Sequence, residues 1–222
     1  MKEKKVVKLY LIPGMGSDGR MYDKLLSLYP NAEVIEFIRP YHKESIVEYA
    51  KRMAEKIDTT QPFYLLGTSL GGIITVEISK IIHPEKIILL ASAKCRDELP
   101  VRLRVMKFLK IYRLIKAERV KQVKERKILK THKKKGNIPT EKLLAMNEEA
   151  DANFIDWGAD AVINWHGSSK DYRKDIIHFH GTKDGLFPAR FIKNFIPVKG
   201  GDHFIALSLS DELAQQIVAA IQ

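Results

Sequence analysis

The sequence predicts a three-layer α/β fold, with about six mostly parallel strands, helices on both faces of the sheet, and a helical insertion over about residues 94–166. Three observations lead there. Short runs rich in Val, Ile and Phe alternate with helix-periodic segments through residue 91, and such alternation implies a parallel sheet covered on both sides. The same alternation resumes after residue 174, while residues 96–166 hold helical patterns and no convincing strand.

Taken in order, residues 6–12, 33–38, 62–66 and 86–91 read as strands, and 20–29, 45–57 and 70–82 as helices. Ile46, Val47, Ala50, Met53, Ala54 and Ile57 recur at helical period. In the insertion, Val101, Val105, Phe108, Leu109, Tyr112 and Ile115 follow the i, i+4, i+7 rule with basic residues opposite. Further helices fit 118–132, 140–150 and 153–165. Past the insertion, Ile176 to His180 reads as a strand, followed by a helix after Pro188, a strand near Phe195 to Val198, and a last helix from about Ile205 to Ile221. A length of 222 residues suits one sizeable core, so residues 1–222 are expected to form a single domain.

Apolar residues make up 45% and charged residues 29% of the chain, close to ordinary globular composition and unlike a disordered or fibrous one. No stretch has the roughly 18 uninterrupted apolar residues that a membrane span needs. The apolar run from Val6 to Ile12 contains Lys8 and ends at Pro13 without a small-residue cleavage site, so it reads as a buried strand rather than a secretory signal. Cys95 stands alone, which excludes an intrachain disulfide and makes the cytoplasm the expected compartment. The net charge of +11 is localised: residues 94–135 hold 17 Lys and Arg against four acids.

Gly67-Thr68-Ser69-Leu70-Gly71 is a Gly-x-Ser-x-Gly pattern, modest evidence alone. Its context adds weight, because it follows the strand Phe63-Tyr64-Leu65-Leu66 and precedes a helix. A serine held in a sharp strand-to-helix turn needs neighbours without side chains. The helix beginning after Ser69 presents amides and a positive dipole end to any developing oxyanion, which makes the N–H of Leu70 a natural donor. A serine hydroxyl also needs a base and an acid to orient that base. Asp184 lies just past the strand ending at His180, in a loop of the kind where parallel sheets bind ligands. His203 follows nineteen residues later, before the last helix. Asp202 is a rival acid, disfavoured because a residue adjacent to the base rarely points at its ring.

With serine, acid and histidine in this order, the chain resembles the α/β-hydrolases, and among them small esterase- and lipase-like members with a helical cap. The resemblance implies Ser69 as nucleophile, His203 as general base and then acid, and Asp184 as the orienting carboxylate. It also implies a second oxyanion donor in the loop after the first strand, where Pro13-Gly14-Met15-Gly16 places Met15. A proline stands where the family often has histidine, and the two N-terminal strands of larger members are missing.

The insertion would form a cap over Ser69, with its apolar side facing the site or the core. Phe154, Trp157 and Trp165 fall near one helical face as candidates for a substrate wall, as does Phe108. An apolar lining favours an acyl group, so cleavage of a carboxylic ester through an acyl-enzyme is the expected activity. The alternatives are an acyl-thioesterase acting on a CoA- or carrier-linked group, and a non-catalytic binding protein on the same fold. The basic insertion suits an anionic partner: an acyl carrier, coenzyme A or a membrane surface. Nucleic acid ranks last, because no recognised binding motif accompanies the charge. No cofactor or metal is expected, since phosphate-loop, dinucleotide and metal-ligand spacings are missing.

Overall fold

The computed structural model describes residues 7–109, 116–131, 140–207 and 211–221. Six strands form one sheet: β1 (Lys8–Ile12), β2 (Ala32–Val34), β3 (Phe63–Thr68), β4 (Lys86–Leu90), β5 (Ile177–Gly181) and β6 (Ile196–Val198). Their spatial order is β2-β1-β3-β4-β5-β6, and every neighbouring pair is parallel.

The alternation of side chains along a strand divides the core in two. Leu9 and Leu11 of β1, with Leu66, Ile88, Leu90 and Phe179, point to the face covered by α1 (Asp23–Leu28) and α8 (Asp211–Ile221). Tyr10 and Ile12, with Phe63 and Leu65, point to the face covered by α2 (Ile46–Ala54) and α3 (Leu70–Ile78). A fully buried Leu or Ile contributes about 1.5–3 kcal/mol relative to an exposed one, so the two half-cores hold the sheet rigid. Ser45 starts α2 with a reciprocal cap: its hydroxyl accepts from the Glu48 amide, and the Glu48 carboxylate accepts from the Ser45 amide.

Between β4 and β5 the chain forms the helical insertion: α4 (Val101–Leu109), α5 (Ala117–Thr131), α6 (Thr140–Glu149) and α7 (Ala152–Asn164). Trp165, at the end of α7, is buried and donates from Nε1 to Glu77 of α3 at 2.7 Å.

Four details differ from the sequence reading. The strand at 33–38 is only Ala32–Val34, because after Ile35 bonds to the Leu11 carbonyl the chain turns away from the sheet edge. The helix expected after Pro188 is a single 3-10 turn, Ala189–Phe191, and the last helix begins at Asp211. In α4 the apolar positions Val101, Val105 and Phe108 point outward, being 51%, 45% and 80% exposed. Leu99 and Leu103 pack inward instead, and arginines hold the segment: Arg96 donates to the carbonyls of Ile163 and Trp165, and Arg102 to that of Gly185. Tyr112, Ile115 and the run Lys133 to Gly136 lie outside the described residues.

Candidate active site

All loops at the carboxyl edge of a parallel sheet open on the same side. Those after β1, β3, β5 and β6 carry Met15, Ser69, Asp184 and His203 respectively.

Ser69 joins β3 to α3 with φ 52° and ψ −117°, a backbone conformation that costs a non-glycine residue about 1–3 kcal/mol. The neighbouring glycines make the turn possible. A Cβ on Gly67 would overlap the Thr75 hydroxyl and the Gly71 carbonyl, and one on Gly71 would overlap the carbonyls of Ile12 and Pro13. The turn is also bonded in place. Ser69 donates its amide to the Leu90 carbonyl at 3.0 Å, and its own carbonyl accepts from the Ser92 hydroxyl at 2.7 Å. Beneath it, the Tyr22 hydroxyl lies 2.7 Å from Thr68 Oγ1 and donates to the Ile12 carbonyl at 2.8 Å. Burial pushes that phenol far above its ordinary range.

Ser69 Oγ lies 2.8 Å from His203 Nε2, and His203 Nδ1 lies 2.8 Å from Asp184 Oδ2. The other carboxylate oxygen, Oδ1, accepts from the amides of Leu186 and Phe187, both at 2.8 Å. Burial alone would raise the Asp184 carboxyl. The hydrogen bond and charge of His203, with the Phe187 amide and the nearby His180, outweigh it and hold the group below the usual carboxylate range. Asp184 is therefore an ionised acceptor that keeps a proton on His203 Nδ1, leaving Nε2 as the atom that can take a proton from Ser69. The rival, Asp202, accepts from the Phe204 amide at 2.8 Å and forms a local turn.

Leu70 is the first residue of α3, and Met15 lies in a turn closed by the Ser17 amide on the Gly14 carbonyl at 3.0 Å. Gly16, at φ 66°, supplies the left-handed residue that this turn needs. The amides of Met15 and Leu70 donate to no protein group among the described residues. Helix α7 sits directly above both, since a Cβ on Gly158 would come within 2.9 Å of Leu70 Cδ2 and of Met15 Sδ. From α5, Lys124 donates to the Gly16 carbonyl and, at 3.1 Å, to Ser17 Oγ. Burial lowers this ammonium to about 8, against the pull of Asp18.

The four aromatic candidates separate. Phe154 stacks on Phe37 at 4.3 Å and borders a cavity of about 230 Å³ next to Gly16 and Ser17. Trp157 packs on Tyr49 and Phe154 and donates to the Glu44 carbonyl at 2.8 Å, sealing α7 to α2. Trp165 is buried against α3, and Phe108 faces outward, so neither borders that cavity. The sequence reading also missed Ser92, Lys124, Lys94, Glu98 and the buried His178, for which no spacing rule exists. Among the described residues, no cluster of His, Cys, Asp and Glu is arranged to hold a metal ion, and no helix is long and apolar enough to cross a membrane.

Solved structures superpose across nearly the whole chain. An esterase from Thermogutta terrifontis matches with a TM-score of 0.73 and 17% identity over 97% of this chain and 89% of its own. MenH from S. aureus gives 0.74 and 14% over 97% and 93%. A structure from work on carboxylesterases of Nitrososphaera gargenis gives 0.73 and 14% over 98% and 90%. The chain has the α/β-hydrolase fold. No protein-family model matches the sequence, and no curated protein does. At these identities the likeness is one of fold, and the α/β-hydrolase frame explains why its loops bring Ser69, Asp184 and His203 together.

Proposed function

We propose that this α/β-hydrolase-fold protein is a serine hydrolase that cleaves carboxylic esters, with Ser69, His203 and Asp184 as its catalytic triad. The observation that carries the reading is the pair of 2.8 Å contacts on the two nitrogens of one imidazole, ending on a serine held at positive φ. Fold neighbours described as esterases and carboxylesterases agree with it.

In this mechanism Ser69 Oγ attacks the ester carbonyl carbon while His203 Nε2 takes its proton. The carbonyl oxygen becomes an oxyanion that the amides of Met15 and Leu70 receive, a contribution of about 3–4 kcal/mol per donor in hydrolases of this type. The tetrahedral intermediate collapses, the alkoxide leaves with the proton from His203, and Ser69 remains acylated. Water, deprotonated by His203, then attacks the acyl carbon and releases the acid and the serine. Asp184 stays ionised throughout and stabilises the imidazolium. Among the aromatics, Phe154 and Phe37 border the cavity next to Gly16 and Ser17, while Phe187 and Phe204 stand edge-on to the His203 ring.

Wild type and Ser69→Ala, compared on p-nitrophenyl esters of increasing acyl length, test the reading. Turnover by wild type, a loss of roughly 10⁴-fold or more in the variant, and fluorophosphonate labelling of Ser69 are expected. Equal rates for the two proteins would sink it.

A second reading, acyl-thioesterase activity on a carrier- or CoA-linked group, uses the same residues and draws on the concentration of Lys and Arg in the insertion. Thioester turnover would then fall as salt is raised. A salt-independent rate counts against an anionic carrier.

A further inference from the structure

A second hydrogen-bonded string ends on the Phe187 carbonyl beside Asp184, and ester cleavage as described above does not use it. At its far end Lys94 and Glu98, 3% and 1% exposed, form an ion pair of 3.0 Å. Glu98 also accepts from the amides of Lys94 at 2.7 Å and Lys193 at 3.1 Å, and Lys94 Nζ donates to the Lys193 carbonyl at 2.6 Å. The ammonium also lies 3.0 Å from His178 Nδ1. His178 Nε2 lies 3.3 Å from His180 Nδ1, and His180 Nε2 lies 2.8 Å from the Phe187 carbonyl and 3.4 Å from Asp184 Oδ2. All five side chains are buried.

The positions of the protons follow from one acceptor. The Phe187 carbonyl cannot donate, so His180 carries a proton on Nε2. Burial pushes His180 down, against the pull of the Phe187 carbonyl and Asp184, and pushes His178 well down with help from Lys94. Both rings are neutral. His180 Nδ1 is then an acceptor and takes the proton of His178 Nε2, which leaves His178 Nδ1 to accept from the ammonium. The Ser92 amide points at His178 Nε2 from 3.4 Å, but the Lys94 ammonium, closer at 3.0 Å and able only to donate, makes Nδ1 the acceptor and leaves the proton on Nε2. Each group thus donates to the next, in one direction, from Lys94 to the Phe187 carbonyl, and the amide of Phe187 donates in turn to Asp184 Oδ1.

We propose that His180 is a positioning residue for Asp184, an inference that rests on the ester-hydrolase reading of that carboxylate, and that Lys94, Glu98 and His178 hold His180 in the donor tautomer. Asp184 then meets three donors, two amides on Oδ1 and His203 on Oδ2, while the Nε2 hydrogen of His180, 3.4 Å from Oδ2, lies on the Phe187 carbonyl. Phe187 closes the arrangement. Its amide donates to Asp184, its carbonyl accepts from His180, and its ring meets His203 edge-on at 5.2 Å. Loss of the His180 donor frees the Phe187 carbonyl and slackens the Phe187 amide on Asp184, so the carboxylate shifts and the imidazole of His203 turns from its line to Ser69. A buried ion pair is a weak stabiliser compared with apolar replacements, which makes orientation the more economical account of this one.

His180→Asn, whose amide is too short to reach the Phe187 carbonyl, and His180→Gln, whose amide can donate to it, separate positioning from filling space. The readouts are kcat and KM on an ester that wild type cleaves, and the low-field proton resonance of the His203 Nδ1–H to Asp184 bond, which needs no substrate. His180→Asn is expected to lower kcat about tenfold at unchanged KM and to displace the resonance, while His180→Gln keeps wild-type values of both. His178→Leu removes the donor to His180 without touching Asp184 or Phe187. It is expected to lower kcat about threefold in the same manner, and it carries the test if His180→Asn does not fold. Wild-type kcat and resonance in folded His180→Asn or His178→Leu, or equal losses in the Asn and Gln variants, overturn the proposal. A displaced resonance in a protein that cleaves no ester overturns the ester reading alone.

Discussion

At the carboxyl edge of the sheet, Ser69, His203 and Asp184 meet through contacts of 2.8 Å, with Ser69 held further by Leu90 and Ser92 and Asp184 by two amides of its own loop. In α4 of the insertion, by contrast, Val101, Val105 and Phe108 meet solvent, and the helix is held by arginine-to-carbonyl bonds and two leucines. The first region tolerates little movement, because polar groups out of water must keep their partners. The second is attached at a few points. Geometry for a shared chemical step belongs in the first region, and variation in what is admitted belongs in the second.

Substitutions can break or sharpen that contrast. The largest effect is expected from Asp184→Asn, which keeps the shape but upsets the imidazole tautomer: ester turnover should fall about 10⁴-fold with little change in KM. A loss below tenfold would mean that the carboxylate edge is less exacting than the geometry implies. Next is Gly71→Ala, whose methyl would collide with the carbonyls of Ile12 and Pro13. A loss of stability of about 3 kcal/mol or more, or failure to fold, is expected in denaturant unfolding.

Lys124→Met tests the point where the two regions touch. Release of the Gly16 carbonyl should slacken the Met15 turn and lower kcat several-fold, roughly three to ten. Its stability should also show a pH signature. The folded protein holds the Lys124 proton less tightly than the unfolded chain, with about 8 against an ordinary 10.5. This lysine therefore detracts from wild-type stability below about pH 8, and that handicap fades as pH rises from 8 to 10.5. The stability of wild type relative to Lys124→Met should rise across that window, and a flat difference would show that the group is not buried as a cation. The smallest effect is expected from Phe108→Ala, within about 0.5 kcal/mol in stability and without change in kcat on small esters. A large loss would place this outward side chain in contact with substrate.

The body of the fold was legible because two simple periods govern it. Alternation in β1 sorts Leu9 and Leu11 from Tyr10 and Ile12, and helical spacing in α2 marks Ile46, Ala50 and Met53. The serine turn was legible too, because Gly67 and Gly71 are steric necessities at defined offsets. In α4 the same helical period misled. Val101, Val105 and Phe108 have the spacing of a buried face, yet it is Leu99 and Leu103 that pack inward. Periodicity reports that a helix has two faces and not which of them meets the body. His178, Lys94 and Glu98 were illegible for another reason. Lys94 and Glu98 are four residues apart, but their other partners are as distant as His178 and Lys193, and the pairing of β4 with β5 sets His178 beside the segment that follows β4.

Gly158 carries one hydrogen where any other residue would carry carbon, and α7 packs there on the ends of the Met15 and Leu70 side chains. The contact between insertion and body is consequently adjustable by one methyl group, without any change to the serine, the histidine or the acid. Alanine at this position would press on those two side chains, which must turn aside, while Ser69, His203 and Asp184 stay where they are.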